Sequence, residues 1–183
     1  MTMPKIYLSP STQEYNPYID GGNEEYYMNL IADAMEPYLK ASGIDFVRND
    51  PEKTVGNSVR SSNAGTYDLH LAIHSNASPD ETRGQNRGVQ VYYYPGSQKG
   101  ERAAAAIAED YKKIYPDPRL VRTIPTSSLY EIVRTKAPAV LIETAFHDNP
   151  EDARWIRENI DEIAQSLVRA VAEVLGVRFR EPK

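Results

Sequence analysis

The sequence contains no cysteine, and this absence limits the chemistry that the protein can use. Without cysteine there is neither a disulfide framework nor a thiolate metal site, so any bound metal ion must have histidine, carboxylate or other oxygen ligands. Basic residues are also in deficit, because 21 Lys and Arg face 26 Asp and Glu, a formal net charge of -5. Neutralising phosphates requires an excess of cationic side chains, so the composition argues against a nucleic-acid partner.

Long apolar runs are absent as well, which argues against a membrane partner. The chain has 183 residues with 40% hydrophobic and 26% charged residues, values typical of a globular protein with one core. We therefore expect a single domain spanning residues 1–183. The sequence opens with Met1 to Pro4 and passes directly into the apolar segment Lys5 to Leu8, which leaves no space for a Sec-type signal peptide.

Two apolar segments end in side chains that can move protons or bind metal ions. The run from Ala139 to Thr144 carries Glu143 near its end, and the run from Tyr67 to Ile73 leads into His74. Continuous apolar runs are typical of buried parallel strands, and ligands of open α/β sheets bind outside the carboxyl ends of such strands. The sequence therefore predicts one shared site at this edge of a sheet, with Glu143 as the first catalytic candidate.

Strand-like and helix-like segments alternate along the chain. A strand at Lys5–Leu8 is followed by a helix predicted over Glu24–Ser42, a strand over Ile44–Val47, a short helix around Val59–Ala64, and the strand that ends at His74. The segment Gly88–Tyr94 alternates in character, so we expect a strand near the sheet edge, and helices are predicted up to Tyr115 and over residues 150–175. This order predicts an α/β fold: about six mostly parallel strands in a twisted sheet, with helices on both faces.

Three motifs together carry a family resemblance. They are Ile73-His74-Ser75-Asn76-Ala77, Gly88-Val89-Gln90-Val91-Tyr92-Tyr93, and Pro138-Ala139-Val140-Leu141-Ile142-Glu143 followed by Asn149-Pro150-Glu151-Asp152. In this order and at these spacings the chain resembles the zinc-dependent N-acetylmuramoyl-L-alanine amidases of the Amidase_3 type, from Lys5 to about Val174. The resemblance implies hydrolysis of the amide bond between N-acetylmuramic acid and L-alanine, with peptidoglycan or a muropeptide as the substrate and Zn²⁺ as the cofactor.

The resemblance also implies roles for individual residues. The segment Glu25-Tyr26-Tyr27-Met28-Asn29-Leu30 resembles the family segment in which a glutamate near a helix start binds zinc; Asn29 and Leu30 favour Glu25 over the alternative, Glu24. Glu25 and His74 would thus bind the metal ion, and Glu143 would handle protons. This division agrees with general chemistry, since zinc lowers the pKa of a bound water toward about 7 and a nearby carboxylate can accept the proton.

One departure from the family pattern affects the metal site. The first strand of family members ordinarily ends in an Asp-x-Gly-His-Gly-like motif whose histidine is a zinc ligand, whereas this chain has Ser9-Pro10-Ser11-Thr12-Gln13-Glu14. An ungapped alignment places Thr12 at the histidine position. Gln13 is our candidate for the missing ligand through its amide oxygen, with Thr12, Glu14 and His147 as alternatives. A Gln ligand is expected to bind zinc less tightly than an imidazole.

Further polar residues are candidates for substrate contacts. Asn76 and Arg134 are expected to face a carbonyl or carboxylate of the peptide, whereas His70 is expected to be a buried, hydrogen-bonded residue because four residues of strand separate it from His74 by about 13 Å. The missing histidine also favours an alternative function, a degenerate, non-catalytic module that binds cell-wall fragments or a protein partner. We expect the chain to be cytoplasmic as made, without a separate wall-binding domain, and to act on the wall after lysis or non-classical release.

Overall fold

The computed structural model describes residues 3–183 of the chain. Met1 and Thr2, which enter the expectation that the chain has no export signal, lie outside the described residues. The elements are, in chain order, β1 (Lys5–Pro10), α1 (Glu24–Ala41), β2 (Asp45–Arg48), α2 (Val55–Ala64), β3 (Leu69–Asn76), β4 (Val89–Tyr93), α3 (Gln98–Ile114), β5 (Val121–Pro125), α4 (Tyr130–Arg134), β6 (Ala139–Phe146), α5 (Pro150–Glu158) and α6 (Ile160–Leu175).

The strands form one six-stranded sheet in the order β2-β1-β3-β6-β4-β5. All neighbouring strands are parallel except β4 and β6, which pair antiparallel. The predicted α/β fold with a mostly parallel sheet is therefore confirmed. The expectation that the strand after Gly88 lies near the sheet edge is confirmed, because β4 is next to the edge strand. That edge strand, β5, is one that the sequence pattern did not predict.

The two faces of the sheet are covered unequally. Helices α1, α3, α5 and α6 supply side chains to the main hydrophobic core on one face. Among the described residues, the other face carries the short helices α2 and α4 alone. Its apolar cluster consists of Ala72, Ile132, Ala139 and Leu141, with Tyr92 and Leu129 packed against it. This thin covering leaves room for a cleft beside the strand ends. None of the helices in residues 3–183 combines the length and apolar character needed to cross a bilayer.

The end of β6 and the start of β4 are held in place by a buried carboxylate. Asp152, in the first turn of α5, accepts hydrogen bonds from the backbone N–H groups of Gly88 and Phe146, each at 3.0 Å, and from the Tyr115 hydroxyl at 2.6 Å. The pairing of β3 with β6 is irregular after His74, and Ala145 there has a φ of 57°, a conformation that non-glycine residues adopt rarely. These contacts fix the backbone just beyond the predicted site residues.

Candidate active site

The predicted site residues His74 and Glu143 lie side by side at the carboxyl edge of the sheet. They are register partners on β3 and β6, so both project from the thinly covered face. A cavity of about 670 Å³ opens there. It is lined by both residues, by the segment Ser9–Tyr15 at the end of β1 and beyond it, and by residues around α2 and α4. The position agrees with the general rule that open α/β sheets bind ligands outside the carboxyl ends of their strands.

Two buried carboxylates hold the imidazole ring of His74. Its Nδ1 lies 2.9 Å from Oε1 of Glu24, and its Nε2 lies 2.8 Å from Oε2 of Glu131. Burial lowers the pKa of His74, but the hydrogen bonds and charges of Glu131 and Glu24 outweigh this effect and raise the pKa well above its ordinary value. The two carboxylates therefore favour the protonated form of the ring, which can donate a hydrogen bond to each of them.

Glu24 reaches His74 because of its place at the start of α1. Asn23 caps the helix by accepting a hydrogen bond from the Tyr26 backbone N–H, and Glu24 is the first helical residue. Its other carboxylate oxygen accepts a hydrogen bond of 2.7 Å from Nδ2 of Asn16. Burial raises the pKa of Glu24, but the hydrogen bond and charge of His74 lower it by a larger amount. The net pKa therefore lies below its usual value. The ionised form of the buried Glu24 side chain is thus favoured.

Glu25, which the sequence analysis preferred over Glu24, lies elsewhere on the first turn. Its Oε1 accepts a hydrogen bond of 3.2 Å from Nδ2 of Asn29, one helical turn later. The structure therefore does not place Glu25 beside His74, and the residue that contacts His74 is Glu24, the alternative of the sequence analysis. Successive helical residues point about 100° apart, so an error of one position in register moves a side chain out of the site.

Glu131, on the five-residue helix α4, is a site residue that the sequence analysis did not identify. Its Oε1 accepts hydrogen bonds from Ser9 Oγ at 2.6 Å and from His70 Nε2 at 3.0 Å, while its Oε2 faces His74. Burial raises the pKa of Glu131, but its contacts with His70 and His74 outweigh burial and hold the pKa well below its usual range. Hydrogen bonds thus link His70, Glu131, His74 and Glu24 in one buried chain.

Glu143 differs from the other two carboxylates because it has a buried oxygen without a hydrogen-bond partner. Its Oε2 is buried without a hydrogen bond, although the cavity lies directly beside it. Burial raises the pKa of Glu143 to about 7, a shift that the charge of His74 partly opposes and the charges of Glu24 and Glu131 reinforce. A carboxylate that faces a cleft with a pKa near neutrality is suited to accept and return a proton.

Gln13 lies where the sequence analysis expected a replacement ligand. Its Nε2 is 3.3 Å from Nδ1 of His74, and its Oε1 accepts hydrogen bonds from Asn16 and Tyr15. Nδ1 of His74, Glu24 and the Gln13 amide thus converge, and a rotation of the amide would turn its oxygen toward them. This set offers one nitrogen and two oxygen donors, which fits a divalent cation. Within residues 3–183, no three His, Asp or Glu side chains form a metal site, so the amide would be the third ligand.

The remaining predicted residues lie around the cleft or outside it. Thr12 and Glu14 line the cavity. His147 is buried, with its Nδ1 3.0 Å from Ser75 Oγ, and it does not line the cavity. His70 is buried and hydrogen-bonded to Ser62 and Glu131, as expected.

The two residues expected to contact the substrate occupy different surroundings. Asn76 donates a hydrogen bond of 3.0 Å to Gln90 and lines a second cavity, next to the first. Arg134 is exposed at the end of α4, and neither of these two cavities includes it. The structure therefore does not place Arg134 with the other candidates.

Comparison with known proteins identifies the class to which this fold and site belong. The family model for N-acetylmuramoyl-L-alanine amidase (Amidase_3) matches residues 12–173. The chain therefore belongs to the Amidase_3 family.

Individual relatives agree with this assignment. The chain is 30% identical over 162 residues to the N-acetylmuramoyl-L-alanine amidase LytC of Bacillus subtilis (strain 168), covering 81% of this chain and 31% of that protein. It is 26% identical over 125 residues to the endolysin of Bacillus phage SPP1, covering 65% of this chain and 44% of that protein. The chain thus spans less than half the length of these curated relatives. The structure of the N-acetylmuramoyl-L-alanine amidase AmiC2 of Nostoc punctiforme superimposes with a TM-score of 0.82 at 18% identity, covering 96% of this chain and 98% of that one, which shows the shared fold.

Proposed function

We propose that this protein hydrolyses the amide bond between N-acetylmuramic acid and L-alanine in peptidoglycan, with Glu143 as the general base. Family membership supports the reaction type. The observation that carries the assignment of Glu143 is its buried Oε2 beside the cleft, which has no hydrogen-bond partner, together with a pKa raised to about 7. A base with a pKa near the working pH exists in the required form and still returns its proton readily.

The neighbouring residues would serve binding and orientation. Glu143 would take a proton from the attacking water and deliver it to the nitrogen of the departing L-alanine. Glu131 fixes the ring of His74 from the Nε2 side, so that Nδ1 points toward Glu24 and Gln13. A carboxylate that holds the far nitrogen of a histidine is a common support for metal ligands. The segment Ser9–Tyr15 and helix α4 form walls of the cavity that would receive the substrate.

The donor set around Nδ1 supports a role for a zinc ion. His74, Glu24 and Gln13 would hold it, and when bound it would act as a Lewis acid on the scissile carbonyl and the water. Because an amide is a weaker ligand than an imidazole, we expect weaker zinc binding than a site with a second histidine would give. Gln13→His is therefore expected to bind zinc more tightly than the wild type, measured by titration calorimetry.

Glu24 and Glu25 provide a matched pair for testing the metal site. We expect Glu24→Gln to lower zinc affinity by at least tenfold, because it removes the anionic donor that lies at Nδ1, and Glu25→Gln to leave the affinity unchanged. Both variants change one carboxylate on the same helical turn by the same atoms. Equal effects of the two variants on the zinc dissociation constant would contradict the assignment.

The reaction itself is tested with the zinc-loaded protein and cell-wall fragments. Hydrolysis of this bond creates new N-terminal L-alanine amines, which amine labelling and mass spectrometry of the released peptides would detect. If the protein binds zinc and wall fragments but releases no peptides, the amidase proposal fails. The non-catalytic binding module, which the missing family histidine favours, would then be the better assignment.

A further inference from the structure

A row of polar residues crosses the sheet from His74 toward the edge strand β5. His74 is in register with Glu143, Glu143 with Gln90, and Gln90 with Arg122. Residues in direct register project to the same face of a sheet, and neighbouring strands are about 4.8 Å apart. Arg122 therefore starts about 10 Å from Glu143, on the side opposite to Glu24 and Gln13.

Arg122 lines the second cavity, which has a volume of about 430 Å³ and adjoins the row at Gln90. The lining of this cavity includes two arginines and no carboxylate. One of them, Arg87, is paired with Glu151 and Asp152. Arg122 is exposed and, within residues 3–183, has no carboxylate within 4.0 Å of its guanidinium. Its charge is therefore available to a ligand.

The first cavity has the opposite character. Four glutamates line it, Glu14, Glu52, Glu131 and Glu143, and Lys53 is the cationic side chain among its lining residues apart from His74. The two cavities thus lie on opposite sides of Glu143, one acidic and one basic. In a chain with a formal net charge of -5, a cavity with two arginines and no acid is suited to an anionic group.

We propose that the second cavity binds the stem peptide of the substrate, with Arg122 binding the first carboxylate after L-alanine, and that the sugar occupies the first cavity. This inference rests on the proposed amidase function and fixes the direction in which the substrate lies. A peptide that carries carboxylates is repelled by the acidic cavity, whereas an uncharged N-acetylmuramoyl ring is not. The inference also transfers to Arg122 the contact that the sequence analysis assigned to Arg134.

The distances agree with this placement. Two extended residues span about 7 Å, so a carboxylate on the second residue of the stem peptide lies about 7 Å from the scissile bond. The flexible Arg122 side chain covers the remaining gap from its Cα position. The amide of Gln90 lies between Glu143 and Arg122 and accepts a hydrogen bond from Asn76, which lines the same cavity, so both amides can contact the peptide backbone.

The test compares two substrates that differ only in charge. One is a muramoyl dipeptide whose second residue has free carboxylates, and the other is the same molecule with those carboxylates converted to amides. We expect Arg122→Gln to lower kcat/KM for the first substrate by about 10- to 100-fold, the range for loss of a charged hydrogen bond, and to leave the second within about twofold. The control is Arg102→Gln, which removes an exposed arginine near Asp68 and Leu69, at the opposite end of the strands.

The outcomes separate this inference from the proposed function. If the wild type hydrolyses both substrates and Arg122→Gln slows both equally, or neither, the placement of the peptide is wrong while the amidase activity stands. If the wild type hydrolyses neither, binding of the free dipeptide L-alanyl-D-glutamate is measured by NMR titration. Binding that is lost in Arg122→Gln but kept in Arg102→Gln supports the peptide site without hydrolysis, and binding that Arg122→Gln leaves unchanged overturns it.

Discussion

Replacing Glu143 with glutamine is expected to lower kcat for release of L-alanyl peptides by about 100- to 10,000-fold, the usual contribution of a general base. Glutamine has nearly the same shape as glutamate but cannot accept the proton of the attacking water. The measurement is the rate of new N-terminal L-alanine formation from wall fragments, with the zinc content of each sample determined in parallel. The control is Glu101→Gln, which makes the same chemical change at an exposed position on α3 and is expected to leave kcat unchanged.

Stability gives a second readout for the same variant. Burial raises the pKa of Glu143 to about 7 from an ordinary value of 4.5, so the folded state binds a proton that the unfolded state has lost between these pH values. The free energy of unfolding that depends on Glu143 therefore falls as the pH rises from about 4.5 to about 7. We expect Glu143→Gln, without zinc, to be at least as stable as the wild type at pH 8, measured by urea unfolding. A variant that loses both activity and stability would instead indicate a structural role.

Part of the site was predictable from sequence because two of its residues lie at the ends of recognisable strands. His74 and Glu143 each follow a continuous apolar run, and such runs identify buried strands whose carboxyl ends meet at one edge. The segment after β1 was also placed correctly beside His74, since Gln13 contacts its ring. The choice between Glu24 and Glu25 required the helix register to within one residue, and the neighbouring Asn29 and Leu30 did not fix it.

Glu131 and β5 escaped prediction for physical reasons. Helix α4 has five residues, too few for a periodic pattern, and the partners of Glu131, His70 and His74, lie 61 and 57 residues earlier in the chain. The sequence feature that could have indicated Glu131 is its position as a single carboxylate between the apolar residues Leu129 and Ile132. Strand β5 has the sequence Val-Arg-Thr-Ile-Pro, with exposed Arg122 and Thr123 and a terminal proline. These features are typical of an edge strand, but in the sequence alone they resemble those of a loop.

The chain of buried hydrogen bonds through Glu131 leads to the second large effect. Glu131→Ala is expected to lower the free energy of unfolding by about 3–5 kcal/mol, the usual cost of removing one partner from a buried ion pair. The substitution would leave Ser9, His70 and His74 without the acceptor that they share. Urea unfolding at pH 7 measures the loss, and the exposed change Glu101→Gln should alter the free energy by less than about 0.5 kcal/mol.

Glu131→Gln separates stability from the orientation of His74. The amide retains the volume and one acceptor oxygen, so it can satisfy His70 or His74 but not both as the carboxylate does. If Glu131 orients His74 for a cation at Nδ1, Glu131→Gln should weaken zinc binding by about 10- to 100-fold even where the protein remains fully folded. A folded Glu131→Gln protein with unchanged zinc affinity would restrict Glu131 to a structural role. Because the contact with Glu131 also raises the pKa of His74, the NMR titration of the His74 ring in zinc-free protein should move toward lower pH in this variant.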